Sequence, residues 1–332
     1  MFKVAIIGNT AWGNSLAALL SDKGARVKLW TRSEAEASEL NERTHSYSST
    51  HNIAEALNEA HVVIWAVPSQ KLRQNVILTK PYVTESMLLV SAAKGLEADT
   101  GKRMSQVMAE ELSSASREQI CVLSGPNLAK EISQGLPAAS VIAAQDIAVA
   151  KRARDLLECA NFVVSASDDV VGVELGGALK NIVALGAGMV DGLGLGDNAK
   201  AAFITWAWTE LVSLGIALGA KVDTFYGLAG LGDLIATCAG NLSRNHYVGY
   251  ELAQGRSLSD IRASMSQVAE GVYTAMAIHQ LAREIGVKLP VTDIIYNVLF
   301  QGLPTKEVKN AFKGLAENHY QSLVHIPNRF AP

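Results

Sequence analysis

Along the first half of the chain, short runs of consecutive apolar residues alternate with stretches whose apolar positions recur every three or four residues. KVAII at 3–7 is followed by residues 11–23, in which Trp12, Leu16, Leu19 and Leu20 share one helical face, and then by RVKLW at 26–30. VVIWAV (62–67), MLLVSA (87–92), ICVLS (120–124), ASVIAA (139–144) and FVVSA (162–166) continue the series. Near-continuous apolar strands suit burial on both faces. Their alternation with helices predicts an α/β doubly wound parallel sheet.

From about Asp168 the pattern changes. Leu175, Leu179, Ile182 and Val183 keep a helical period, and 198–218, 243–254, 270–285 and 292–300 also read as helices without a convincing strand between them. The chain therefore divides into a Rossmann-type α/β domain at 1–167 and an all-helical C-terminal domain at 168–332. The helical half is rich in glycine, at 176, 177, 186, 188, 192, 194 and 196. Glycine inside a helix costs about 1 kcal/mol relative to alanine. So many of them predict either close helix packing or backbone brought near a ligand. Residues 318–332 carry no clear pattern and are expected to be loosely ordered.

Composition narrows the function classes. The 332 residues carry a net charge of −3 with no basic block, which argues against nucleic acid and against attraction to an anionic membrane. No apolar run approaches the ~20 residues that cross a bilayer, and MFKVAII is too short for a secretory leader. A cytoplasmic protein without membrane insertion is expected. Cys121, Cys159 and Cys238 are isolated and the seven histidines lack ligand spacing, so no metal site and no disulfide framework is predicted.

Candidate chemistry begins at GNTAWG (8–13), directly after the first strand and before the first helix. In G-x-G-x-x-G the first glycine makes the turn, the second admits a pyrophosphate and the third lets helix pack on strand. Gly8 and Gly13 fill the first and third roles, and Thr10 stands at the second. Its hydroxyl could donate to a phosphate oxygen. The alternative is a plain strand-to-helix turn. At the end of the second strand, where an NAD site usually has an acidic residue, the sequence reads LWTR. Arg32 could pair with a 2′-phosphate or stack on adenine, which favours NADP over NAD or use of both; Glu34 falls at the start of the next helix. A solvated surface arginine is the other reading.

Four further segments carry more than packing: SAAKGLE (91–97), SGPNLAKE (124–131), LGGALKNIVALGAGMVDGLGLGDNAKAA (175–202) and GLAGLGDLIATC with SRNHYVG (227–249). Together with GNTAWG and VAEG (268–271), in this order, they resemble the bacterial-type NAD(P)-dependent glycerol-3-phosphate dehydrogenases over nearly the whole chain. The resemblance implies reversible hydride transfer between NAD(P)H and dihydroxyacetone phosphate, giving sn-glycerol 3-phosphate for phospholipid synthesis. It makes Lys180 the catalytic acid. It implies substrate contacts from Lys94, Gly125, Asn127, Lys180, Asp233, Ser243, Arg244 and Asn245. It implies cofactor contacts from Gly8, Thr10, Ala11, Trp12, Gly13, Arg32, Lys94, Ala129, Arg244, Val268 and Glu270, the last toward the nicotinamide or ribose. Asn181 and Thr237 are expected to assist. Many relatives have Thr where this chain has Asn127, a departure that keeps hydrogen bonding. The partners implied are a small phosphorylated substrate and a second copy in a homodimer.

The residue types suit that chemistry. A lysine titrating near ~10.4 must be tuned down to serve as an acid, and burial or a nearby Lys94 would do so. A helical side chain leans over the turn before it, so Gly176 and Gly177 are expected to leave room for ligand beside Lys180. SRN reads as a helix start with Ser243 as N-cap, and its free N–H groups with Arg244 suit a phosphate dianion. Rival readings are another two-domain dehydrogenase of the 3-hydroxyacid or ketopantoate reductase type, and a non-catalytic nucleotide sensor.

Overall fold

A computed structural model of the chain describes residues 2–239, 243–265 and 269–310. Eight strands form one sheet: β1 Lys3–Ile7, β2 Arg26–Trp30, β3 Ser48–Thr50, β4 Val62–Trp65, β5 Leu88–Ser91, β6 Ile120–Ser124, β7 Ala138–Ala144 and β8 Phe162–Ser167. Their spatial order is β3-β2-β1-β4-β5-β6-β7-β8, with a reversal of winding at β1/β4. Both faces are covered, as the apolar runs predict. Val4, Ile6, Val62 and Ile64 pack on one side with Leu16, Leu20 and Val149. Ala5, Ile7, Val63 and Trp65 pack on the other with Leu72, Met104 and Met108.

Two features of the sheet differ from the sequence reading. It is not wholly parallel: β6 and β7 pair antiparallel, with Cys121 opposite Ala144 and Ser124 opposite Val141, while β7 and β8 pair parallel. Between β6 and β7 the chain turns back at Gly125, whose φ is +138°, and no long crossover helix intervenes. The edge strand β3 was not anticipated because SST holds no apolar residue to mark it. It is placed by its ladder to β2, Lys28 opposite Ser48.

The helices that position the site are α1 Ala11–Asp22, α2 Glu34–Arg43, α3 Ala129–Ser133, α4 Val170–Gly192, α5 Asp197–Ala217, α6 Asp233–Cys238, α7 Arg244–Ala253, α8 Glu270–Ile285 and α9 Pro290–Phe300. Every described element after β8 is helical. α4 is the core of this half, with every residue from Gly172 to Val190 buried. By length and composition α4 could cross a bilayer, but 89% of its apolar window lies inside the protein, against the neighbouring helices. Val122 and Ala143 of the sheet meet Val173 of α4 and Ala229, and Leu96 is buried within the core of the helical half, so apolar contacts join the two halves.

The glycines explain how α4 can be surrounded so closely. A Cβ on Gly188 would lie 2.0 Å from the His246 carbonyl oxygen, and one on Gly249 would lie 1.9 Å from the Leu185 carbonyl oxygen. α4 and α7 therefore meet backbone to backbone. Gly194 and Gly196 serve a different purpose: they have open space around them and positive φ values of 65° and 84°, which the turn between α4 and α5 requires.

Candidate active site

Four polar side chains converge where the sheet meets α4. Lys180 projects from α4 and places Nζ 2.5 Å from Asp233 Oδ1 and 2.6 Å from Thr237 Oγ1. Asp233 and Thr237 are one helical turn apart on α6, so they present one face, as their i, i+4 spacing predicts. The Thr237 hydroxyl donates its proton to the Asp233 backbone carbonyl at 2.7 Å, so toward Lys180 it acts as an acceptor. From the other half, Lys94 places Nζ 2.8 Å from Asp233 Oδ2 and 2.6 Å from the Gly125 carbonyl. One buried carboxylate, 2% exposed, thus holds two ammonium groups from different halves of the molecule. Each ammonium directs two of its three N–H donors to protein and keeps one for a ligand. Burial draws the Lys94 ammonium down to about 8; the Asp233 carboxylate opposes this and the Lys180 charge adds to it.

The Lys94 segment is anchored beyond its lysine. Arg73 grips Glu97 with Nε and Nη2, each at 2.8 Å. Gly95 is obligatory, since a Cβ there would lie 2.5 Å from Ser69 Oγ and 2.9 Å from Glu270 Oε2.

Gly176 and Gly177 do not leave room for ligand, contrary to expectation. A Cβ on Gly176 would lie 2.5 Å from the Ala229 carbonyl oxygen, and one on Gly177 would lie 2.3 Å from Ser124 Oγ. Protein fills both spaces. The first admits the single π-turn Leu228–Gly232, which delivers Asp233; the second admits Ser124 and the Lys94 stem. The glycines bring the carboxylate and the second lysine to Lys180 rather than making a pocket.

Two helix starts are built alike. At α1, Thr10 is the N-cap and its Oγ1 accepts from the Gly13 N–H at 3.0 Å. At α7, Ser243 is the N-cap and its Oγ accepts from the His246 N–H at 3.3 Å, as SRN predicts. In each case the cap satisfies the third N–H of the helix. The first two, on Ala11 and Trp12 and on Arg244 and Asn245, have no intrahelical acceptor. Both starts suit an anion. Gly8 keeps the first one accessible: its φ is +122°, and a Cβ would lie 2.7 Å from Val67 Cγ1. Gly13 packs on the Gly8 carbonyl, 2.3 Å from where its Cβ would stand. The cradle fits a dinucleotide pyrophosphate without further change.

The family models for the N-terminus and the C-terminus of NAD-dependent glycerol-3-phosphate dehydrogenase match residues 3–150 and 169–310. Curated relatives include a glycerol-3-phosphate dehydrogenase [NAD(P)+] of Dehalococcoides mccartyi, 52% identical over 92% of this chain and 89% of its own. Another, from Moorella thermoacetica, is 41% identical over 95% and 97%. The chain belongs to the NAD-dependent glycerol-3-phosphate dehydrogenase family. The glycerol-3-phosphate dehydrogenase crystal structure from Coxiella burnetii matches with a TM-score of 0.86 and 32% identity, covering 95% of this chain and 99% of that one. A ketopantoate reductase from Ralstonia eutropha shares the fold alone, with a TM-score of 0.59 and 15% identity.

Against that family, several expected contacts have a different immediate use in this structure. The Thr10 hydroxyl donates to the Ala66 carbonyl at 2.8 Å, so its one proton is not directed at a phosphate. The Trp12 ring packs edge-to-face on Phe162 with centroids 6.2 Å apart, which leaves its backbone N–H as its contribution to the loop. Asn245 is buried, with its amide bonded to Asn181 Oδ1 (2.9 Å) and to the Gly271 N–H (2.8 Å). Asn181 in turn reaches the Lys94 carbonyl at 3.2 Å. This buried amide relay ties α4, α7 and α8 to the Lys94 loop. Glu270 accepts from Ser69 N at 2.9 Å and from Ser69 Oγ, a contact between the two halves. Burial pushes its carboxyl up from the usual range, opposed by Ser69 and the Arg244 charge.

Of the remaining positions, Ala129 caps the far side of the loop, its carbonyl accepting from Ser15 Oγ of α1 at 3.0 Å. Arg32 is exposed past β2, and Glu34 opens α2 as expected. Val268 lies outside the described residues, as do 318–332. Sequence reasoning missed Ser69. Its signal was position, since PSQ follows β4 at the carboxyl end of the sheet, where ligands of this fold bind.

Because the Thr10 hydroxyl is a cap and a tie to Ala66, Thr10→Ala is expected to lower stability by about 1 kcal/mol. NADPH affinity should change by less than about threefold, a difference under 1 kcal/mol. Thermal unfolding and fluorescence titration with NADPH measure the two. A tenfold weaker NADPH affinity with an unchanged melting temperature would mean that the hydroxyl reaches the pyrophosphate after all.

Proposed function

We propose that Lys180 is the proton donor to the substrate carbonyl oxygen, and the base in the reverse direction, with Lys94 and Asp233 completing a cage around the reacting carbon. The reaction is the one its family carries out: reversible hydride transfer between NAD(P)H and dihydroxyacetone phosphate, giving sn-glycerol 3-phosphate. The bound nicotinamide supplies or takes up the hydride. All other steps fall to the residues of the chain.

The observation that carries this reading is the shared carboxylate. Asp233 orients the Lys180 ammonium and leaves one N–H for the oxygen that gains charge as the ketone is reduced. Lys94, from the opposite wall, has one N–H for the same charge or for a neighbouring hydroxyl. Ser243, Arg244 and Asn245 supply the phosphate site at the start of α7, Asn245 through its backbone N–H. The Asn181–Asn245 bond fixes that helix start relative to Lys180, since each asparagine neighbours one member of the pair Lys180 and Arg244. Gly125 supports Lys94 through its carbonyl, and Asn127 offers an amide donor beside it.

For the nucleotide, Gly8, Thr10 and Gly13 shape the loop, and Ala11 and Trp12 present their N–H groups to the pyrophosphate. Ala129 lines the loop and Glu270 stands at the nicotinamide end; Val268, outside the described residues, is taken as a cofactor contact on the family resemblance alone. Binding of nicotinamide or ribose there requires Glu270 to release or share Ser69. Arg32 reads the adenosine ribose. No carboxylate ends β2, and Glu34 is turned into the first turn of α2, so NADP is preferred to NAD. The enzyme acts in the cytoplasm, supplies the backbone of glycerophospholipids and forms a homodimer. The outward face of α5 supports the dimer: Ala201, Thr205, Thr209 and Ser213 form an uncharged row whose hydroxyls bond back to their own helix.

Steady-state kinetics with dihydroxyacetone phosphate against ketopantoate, using both reduced cofactors, test the reading; absence of turnover with the former overturns it. Lys180→Ala is expected to lower kcat by at least ~10²-fold, the usual scale for a positioned proton donor, while NADPH binding is retained. Unchanged turnover would remove Lys180 from the mechanism. Arg32→Ala should raise KM for NADPH by about tenfold, the loss of one charge-assisted contact, and that for NADH much less. Equal changes would mean that Arg32 does not read the 2′-phosphate.

A further inference from the structure

Beside the lysine cage lies a buried donor without a partner. Asn127 follows β6 by three residues. Its Oδ1 accepts from Ser140 Oγ at 2.7 Å, and its Nδ2 is buried and has no hydrogen-bond partner among the described residues. Buried amide donors are nearly always satisfied, and one beside a candidate substrate site calls for an explanation, of which a ligand acceptor is one. Ser140 is itself fully buried on β7, and it meets the Asn127 loop because Gly125 allows the chain to turn against it. A Cβ on Gly125 would lie 2.9 Å from Ser140 Cα and 3.0 Å from the Ala139 carbonyl oxygen.

The bond from the Ser140 hydroxyl to Asn127 Oδ1 sets the polarity of this pair. A serine hydroxyl has one proton, and the carboxamide oxygen is its acceptor. The opposite end of the amide is then necessarily the N–H₂ end. The neighbouring carbonyl, that of Gly125, holds the Lys94 ammonium, so the orphan amide stands two residues from a group of the cage. A hydroxyl at position 127 could donate or accept and could rotate. The amide held by Ser140 can only donate, and in one direction.

We infer that Ser140 is a positioning residue: it locks the Asn127 carboxamide so that Nδ2 donates to an acceptor oxygen of the bound triose phosphate. This rests on the reading of Asn127 as a substrate contact under Proposed function. Ser140 touches no substrate; it acts through Asn127. The oxygen addressed is a carbonyl or hydroxyl oxygen near the lysines, since the phosphate has its own receptor at the start of α7.

A double-mutant cycle in the full-length protein tests this, read out as KM for dihydroxyacetone phosphate, kcat, NADPH affinity and melting temperature. Ser140→Ala and Asn127→Ala should each raise KM by about three- to tenfold, the scale of one hydrogen bond, with NADPH affinity unchanged. In the Asn127→Ala background, Ser140→Ala should have no further effect on KM. Ser140→Thr, which keeps the hydroxyl, should restore KM, whereas a purely structural role would appear in melting temperature and kcat alike. If Asn127→Ala leaves KM unchanged, the reading of Asn127 as a substrate contact fails. If Asn127→Ala raises KM but Ser140→Ala does not, or if the two effects simply multiply, the inference about Ser140 is overturned while the substrate contact stands.

Discussion

The site depends on one buried carboxylate. Asp233 is almost wholly excluded from water and stands between two ammonium groups, each within 2.8 Å. Without it, Lys94 and Lys180 would be like charges in a low-dielectric wall with nothing between them to offset their repulsion. With it, the three groups carry one net positive charge. That charge is suited to an oxygen that becomes negative as a ketone is reduced. Because the lysines come from opposite halves of the chain, the same carboxylate also joins the halves, together with the Ser69–Glu270 contact. Removing one member of such a cluster leaves an uncompensated buried charge, which is why catalysis and interdomain geometry cannot be separated here.

The demand for close approach at Asp233 accounts for the composition of the helical half. Lys180 can meet Asp233 only if α4 accepts the π-turn that leads into α6, and Gly176 leaves no Cβ to resist the Ala229 carbonyl. Gly177 in turn admits Ser124, whose Oγ would lie 2.3 Å from a Cβ there, with the Lys94 stem packed alongside at 3.5 Å. Farther along α4, Gly188 with Gly249 of α7 brings the start of α7 to the same region. Helix propensity is given up at each of these positions. The gain is a set of backbone contacts that side chains would have prevented.

Much of this was legible in the sequence because its signals are local. Apolar runs marked every strand except β3, which has no apolar residue. Caps marked the starts of α1 and α7, and the i, i+4 spacing of Asp233 and Thr237 marked their shared face. What the sequence concealed was tertiary. The antiparallel β7 follows from how the chain turns back after Gly125, and an apolar run has no direction. Gly176 and Gly177 announced that something comes close, but not whether it is ligand or protein. Asn245 carried a binding-site pattern, yet its side chain is committed to Asn181 and Gly271. A hydrogen-bonding residue in a motif has more than one possible partner, and only the fold decides which it meets.

Thr10 makes the same point at the nucleotide loop. By motif alone, a threonine in place of glycine obstructs the pyrophosphate. In the fold its hydroxyl is committed to two backbone groups: it caps Gly13 and reaches the Ala66 carbonyl just past β4. The position therefore does not need the absence of a side chain; it needs the first two N–H groups of α1 to remain uncovered. Glycine meets that need by having nothing to place there. Threonine meets it by having two better places for its hydroxyl to bond. The second glycine of such loops is thus a constraint on where atoms point, and a capping residue whose polar atom is claimed by the neighbouring strand end can satisfy it.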